Sequence, residues 1–183
     1  ELARKSSGLP DNTELYFIPL VNPDGYLHDQ TISPNGGGFW RKNRRLNVDG
    51  TRGVDLNRNY DYEFGYDNNG SSPNPSSEVY RGTHGFSEPE TQAVKLFCEQ
   101  HQFQFALNYH TYSNLLIYPW GYIPSLLTPD SDLFIETAKH MTEFNHYQYG
   151  TANQTVGYVV NGSSDDWMYG QQSSKNMIFA MSP

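Results

Sequence analysis

Five arginines crowd into eighteen residues of a chain that is otherwise acidic. The stretch FWRKNRRLNVDGTRGVDLNRNY, Phe39–Tyr60, carries Arg41, Arg44, Arg45, Arg52 and Arg58. The 183 residues hold twelve Lys and Arg against twenty Asp and Glu, a net charge of -8. Guanidinium groups gathered in this way must either surround an anion, which their fork geometry suits, or form a basic face paired with nearby acids. Phe39 and Trp40 lead directly into Arg41, as in a partly buried segment. Asp55-Leu-Asn-Arg-Asn mixes amides with charge, as a polar pocket wall would.

The rest of the composition narrows the class. A chain of this length supports one domain with a real core. Hydrophobic residues are 36% and charged residues 17% of the chain, both below ordinary globular usage. Aromatics reach 15%, with fourteen Tyr, and restore buried area. The Tyr-rich, Lys-poor balance points to a secreted or periplasmic protein. Cys98 is the single cysteine, which excludes an intrachain disulfide and a cysteine-based zinc site. No apolar run is long enough to span a membrane. The opening ELARKSSGLPDN lacks the apolar core of a leader segment. Net acidity argues against nucleic acid as a partner.

Along the chain, Glu14–Leu20 has the length and apolarity of a strand, and Asn22-Pro-Asp-Gly reads as a turn after it. Thr31–Gly38 and Asn68–Ser77 read as loops. Ser87-Glu-Pro-Glu90 opens a helix to about His101, with Ser87 as N-cap and Glu90 closing a capping box. Phe103, Phe105, Leu107 and Tyr109 alternate, which predicts a strand. His110 follows at its carboxyl end, the edge where open α/β sheets bind ligands. Leu115–Tyr118 is a second apolar run. A second helix spans Ser131–Phe144, with Leu133, Phe134, Ala138 and Met141 facing inward. Val156–Trp167 reads as mostly loop, and Met177–Met181 as a final strand. Alternating strands and helices give one α/β domain over residues 1–183, with a mixed, largely parallel sheet flanked by helices.

Taken in order, NPDGY at Asn22–Tyr26, FWRKNR, GVDLNRNYD, the SEPET helix start at Ser87–Thr91, NYHTYSNLLIYPWGY at Asn108–Tyr122 and a Tyr–DW element at Tyr158–Trp167 resemble the zinc carboxypeptidases of the funnelin type, the carboxypeptidase A/B and T group. The resemblance covers nearly the whole chain and implies their three-layer fold. It implies a Zn2+-dependent enzyme that removes the C-terminal residue from peptide or protein C-termini. It also implies roles. His110 is expected as the third zinc ligand, and Arg44 as the arginine that polarises the scissile carbonyl. Asn57 and Arg58 would clamp the substrate's carboxylate, Tyr158 would close over the bound residue, and Arg41 would serve an outer subsite. Asp165, just before the DW pair, takes the position at the base of the side-chain pocket. An acid there implies a preference for substrates ending in Lys or Arg, with Gly121 leaving room for a long side chain.

The departures from the pattern matter as much. The family's HxxE ligand pair lies upstream of NPDG, yet no His precedes Asn22 here. The one HxxE, His140-Met-Thr-Glu143, lies downstream on a predicted helix and reads as helix surface. His84 reads as a loop residue. The catalytic glutamate is also missing. Ungapped counting puts Ala180 in its place, and a short insertion around Gln171–Asn176 puts it just past Pro183. The expectation is thus a domain lacking its N-terminal part and its C-terminal end. The alternative is a non-catalytic carboxypeptidase-like binding or structural domain that kept the carboxylate pocket.

Overall fold

The computed structural model describes residues 12–183. The opening stretch read above as no leader lies, but for Asn12, outside the described residues.

Four short strands form the centre. Strand β1 (Phe105–Leu107) pairs in parallel with β4 (Phe179–Met181), and β2 (Leu115–Ile117) pairs in parallel with β3 (Gln148–Gly150). The two pairs meet just beyond β4, where Ile117 and Ser182 exchange antiparallel backbone bonds, each 2.8 Å. The order across is therefore β1-β4-β2-β3, mixed and largely parallel, as the alternation of elements predicts.

Strand β4 explains the layering. Alternate residues of a strand point to opposite faces. Phe179 and Met181 pack with Leu116, Tyr118, Phe134 and Ala138, the side covered by helix α3 (Ser131–Met141). Ile178 and Ala180 pack with Val94 and Cys98 of helix α2 (Pro89–Gln100) and with Trp167 and Met168 of helix α5 (Ser164–Gly170). Buried on both faces, β4 carries no polar residue, as an interior parallel strand requires.

Several local expectations are corrected. Glu14–Leu20 forms no strand, and its apolar side chains stay exposed (Phe17 is 76% exposed) because no described strand lies beside it to pair with. Asn22-Pro-Asp-Gly is not a turn but the start of helix α1 (Pro23–Ile32): Asn22 accepts from Gly25 N, and Pro23 fills the first helical position. Asn and Pro serve turns and helix starts alike. The segment after it is therefore helical to Ile32 before the loop begins. Helix α2 is capped at Glu88, without a capping box; the Ser87 hydroxyl donates to the Glu88 carboxylate instead. Regular pairing in β1 is confined to Phe105–Leu107, although Asn108 N and His110 N still donate to the β4 side, to Met181 O and Pro183 O. Helix α3 stops at Met141, and Leu133 lies 51% exposed while Phe134 and Ala138 are fully buried. Val156–Trp167, read as loop, ends in α5: Ser163 caps it by accepting from Asp166 N.

Asp166 ties α5 to the chain after β2. Its buried carboxylate accepts from Gly121 N at 2.9 Å and Tyr122 N at 3.2 Å. Burial pushes its pKa up to about 7, against the lowering effect of those backbone bonds. Free aspartate titrates at about 3.9, so between those values the folded state holds a proton that the unfolded chain has lost. This group therefore makes stability fall as pH rises through that window. Asp166→Asn keeps an acceptor for both amides and should remove that part of the slope. Urea midpoints at about pH 5 and about pH 8 should differ less in the variant than in the unmutated protein; equal differences would assign the slope to other groups.

The stack of Phe134 on Phe179, centroids 3.8 Å apart, makes a second prediction. Phe134→Ala should cost about 3–5 kcal/mol, whereas Leu133→Ala on the exposed side should stay within roughly 0.5 kcal/mol, both read by denaturant unfolding.

Candidate functional site

The carboxyl ends of β1 and β4 open into a half-enclosed cavity of about 170 Å³, smaller than a drug-sized site and suited to a single residue of a chain. Arg41, Asn57, Arg58 and His110 line it together with apolar Leu115, Ile117, Tyr118, Val156 and Val160 and with polar Ser163, Asp165, Asp166 and Ser182. Tyr158, 51% exposed, also borders the cavity.

Asp55 is what draws the two arginines together. Its carboxylate is buried, and Oδ1 accepts from Asn57 N, shaping the tight 3-10 turn Leu56–Arg58. Oδ2 lies 2.8 Å from Arg41 Nη2 and 3.7 Å from Arg58 Nη1. Burial acts to lower the Arg41 pKa, but Asp55 outweighs it and the net shift is upward. For Arg58 burial dominates and the net shift is downward; a guanidinium stays charged in either case. Arg58 is 3% exposed, its Nη1 donates to Asn57 O, and its Nε has no acceptor among the described residues. Asn57 Oδ1 accepts from Ser164 N at 3.0 Å, which leaves the Asn57 amide NH2 as a donor toward the cavity.

Asp165 is buried between the ends of β1 and β4. Oδ1 accepts from Asn108 Nδ2 at 2.6 Å and Oδ2 from Ser182 Oγ at 2.5 Å. Burial raises its pKa, and these bonds and the nearby His110 oppose the rise. His110 keeps an open outer edge, but the surrounding protein desolvates its ring and lowers its pKa, with Asp165 pulling it back up. A lowered pKa favours the neutral imidazole, the form that ligates metals.

The structure thus brings Arg41, Asn57, Arg58, His110, Tyr158 and Asp165 to one cavity. Arg44 is not among the residues that line it. The Arg44 guanidinium lies over the Trp40 ring, 4.3 Å from its centroid, and its backbone N donates to Asp24. Arg41, paired with Asp55, lines the same cavity as Arg58 and His110. The NPDG motif contributes here, since Asn22 Nδ2 donates to Arg41 O and Lys42 O, each at 3.1 Å. His84 is exposed in a loop, and His140 and Glu143 are exposed at the end of α3, away from the cavity lining. A Cβ on Gly121 would meet Val160 O at 3.3 Å and Asp166 Oδ2 at 3.5 Å, so this position keeps the cavity open.

Sequence reading missed Asn108 and Ser182 as residues that hold the site together. Asn108 lay within a motif quoted for its neighbours, whereas Ser182 carries no signal outside the fold. A metal was expected at His110. Among the described residues no three His, Cys, Asp or Glu side chains converge on one point, and both Asp165 oxygens already hold protein donors. The described residues therefore do not by themselves fit a zinc ion.

Residues 4–182 match the family model described as zinc carboxypeptidase. The chain is 36% identical to mouse (Mus musculus) carboxypeptidase A4 over 165 residues, 85% of this chain and 37% of that protein. It is 33% identical to bovine (Bos taurus) carboxypeptidase B over 181 residues, 93% of this chain and 41% of that protein. The chain thus spans about two fifths of the relatives it matches. Among solved structures, bovine thrombin-activatable fibrinolysis inhibitor in complex with tick carboxypeptidase inhibitor aligns at TM-score 0.71 and 30% identity, over 88% of this chain and 56% of that one. The carboxypeptidase A of Helicoverpa armigera shares the fold at TM-score 0.75 and 24% identity, over 90% of this chain and 40% of that one. Matched along almost its whole length and by relatives above 30% identity, this chain belongs to the zinc carboxypeptidase family.

Proposed function

We propose that the protein carrying this chain is a metallocarboxypeptidase of the carboxypeptidase A/B type, acting outside the cytosol on peptide or protein C-termini and favouring terminal Lys and Arg. The observation that carries the reading is one cavity lined by two guanidinium groups, the half-exposed Arg41 and the buried Arg58, and by a buried acid, Asp165. A free C-terminal residue with a basic side chain offers the matching charges at its two ends.

The family implies Zn2+ in the full domain, with His110 as the ligand this chain offers. Because the described residues do not assemble the site, the chemistry argued here is that of binding and charge. Arg58 and the Asn57 amide donate to the substrate carboxylate, and the unmatched Arg58 Nε gains an acceptor. That contact selects a chain end over an internal peptide bond. The resemblance gives Arg44 the scissile carbonyl oxygen and Arg41 an outer subsite. Charge that grows on that oxygen in the transition state makes such a bond accelerate the reaction rather than merely tighten binding. Tyr158 covers the mouth.

The apolar wall suits the aliphatic stem of Lys or Arg, and Asp165 suits the cationic tip. Its carboxylate already holds Asn108 and Ser182, so a guanidinium adds a charge-assisted partner to a preorganised acceptor. Such a contact is worth roughly 1.5–3 kcal/mol, or about tenfold to a hundredfold in relative kcat/KM. The competing reading, a non-catalytic domain, keeps the same pocket and differs in turning over nothing.

Two measurements on the complete protein test the proposal. Acyl dipeptides ending in Lys, Arg, Leu, Phe or Glu should be cleaved with the basic pair ahead by the factor above, and Asp165→Ile should abolish that lead; equal cleavage of the Arg and Leu peptides by the unmutated protein would end the specificity claim. Binding of the Arg peptide without cleavage in zinc-loaded protein would favour the non-catalytic domain. In the same assay, Arg58→Ala should chiefly raise KM, whereas Arg44→Ala should chiefly lower kcat. The reverse pattern would exchange the two roles.

A further inference from the structure

Tyr158 sits on a span that makes few bonds of its own. The last upstream backbone bond is Gly157 N to Ala152 O, and the next is Val160 N to Gly121 O; among the described residues the Tyr158 and Val159 amides find no acceptor. Where such a span stands is decided by its ends. The upstream end is the single-turn helix α4 (Ala152–Thr155), closed by the Thr151–Gln154 capping box. The downstream end is gripped far more firmly, by a residue outside the cavity.

That residue is Asn161, which has no solvent exposure. Its backbone N donates to Gly70 O at 3.3 Å, its Nδ2 to Asp67 Oδ1 at 3.1 Å, and its Oδ1 accepts from Ser71 Oγ at 2.9 Å. The turn that receives it is itself tied. Asp67 Oδ1 accepts from Asn69 N and Gly70 N, and the Arg81 guanidinium donates to Asp67 O, Asn68 Oδ1 and Ser71 Oγ, each at 3.1 Å. A Cβ on Gly70 would fall 2.4 Å from Asn161 Nδ2, so turn and amide are in direct contact. The grip leads straight to the anion-binding side. Gly162, at φ +64, lies against Arg58 O and Tyr60 O, and Ser164 N donates to Asn57 Oδ1.

We propose that Asn161, locked into the Asp67–Ser71 turn that Arg81 holds, is a positioning residue that fixes Tyr158 and Asn57 relative to the cavity. It touches no substrate. It acts by setting the downstream end of the Tyr158 span and, three residues on, the Ser164 contact that orients the Asn57 amide. This rests on the reading that the cavity takes a peptide C-terminus, which needs both side chains in place for binding. A residue that merely stabilised the fold would lower the melting temperature and leave KM alone.

The test compares Asn161→Ala and Arg81→Ala with the unmutated complete protein, using an acyl dipeptide ending in Arg and amide hydrogen exchange. Asn161→Ala should raise KM about tenfold, leave kcat within about threefold, and speed exchange at residues 158–164 while β1, β4 and α2 keep their protection. Arg81→Ala should shift the same quantities in the same direction by less. An unchanged KM would overturn the proposal, and so would protection lost across the whole chain together with kcat. If the unmutated protein neither binds nor cleaves the peptide, the functional reading fails by itself. The exchange arm then decides this inference: local acceleration at 158–164 supports it, and unaltered exchange there overturns it.

Discussion

Buried acids hold the arginine segment in place. Glu88 has no solvent exposure, yet it receives Asn43 Nδ2, Arg45 Nη1 and Ser87 Oγ. Asp55, nearly as buried, stands between Arg41 and Arg58. An unpaired buried carboxylate is strongly destabilising, so each acid fixes its cations as firmly as they fix it. Asn43 completes the frame: its Oδ1 accepts from Val54 N, joining the two ends of the arginine stretch. Of five clustered guanidinium groups, this sorts two to the cavity and one to Glu88, and leaves Arg44 stacked on Trp40.

The site lies where the sheet makes room for it. Strand β4 is packed on both faces and can offer nothing to a ligand along its length. Beyond its end the chain opens, and Ser182 bonds at once to β2 through its backbone and to Asp165 through its hydroxyl. His110 lies beside it, at the end of β1, with its amide bonded to Pro183 O. The fold thus converts the ends of two parallel strands into a shelf on which a histidine, a carboxylate and two arginines meet.

That shelf carries charges of both signs: the Arg41 and Arg58 guanidinium groups and the Asp165 carboxylate line it along with apolar side chains. The arrangement depends on short helix α5, which delivers Asp165 to the site and Asp166 to the neighbouring loop from successive positions of one turn.

The sequence by itself determined the α/β class, the helix after Pro89, the central apolar strand at its end and the clustering of anion-binding residues. These depend on periodicity and on local motif order, which a chain shows without its fold. The resemblance carried by NPDG, DLNRN and NYHTY brought the family into view. Only the tertiary structure decided that Arg41 pairs with Asp55 while Arg44 lies over Trp40, because the two carry the same chemistry three residues apart. It also decided that Glu14–Leu20 is no strand, since a strand exists only beside a partner. The same holds for Gln148–Gly150 in the opposite sense: its residues show little strand pattern, and pairing with β2 makes it one. Asn108, Ser182 and Asn161 hold the site through contacts that span 57, 17 and 94 residues of sequence, separations at which no local pattern records a partner.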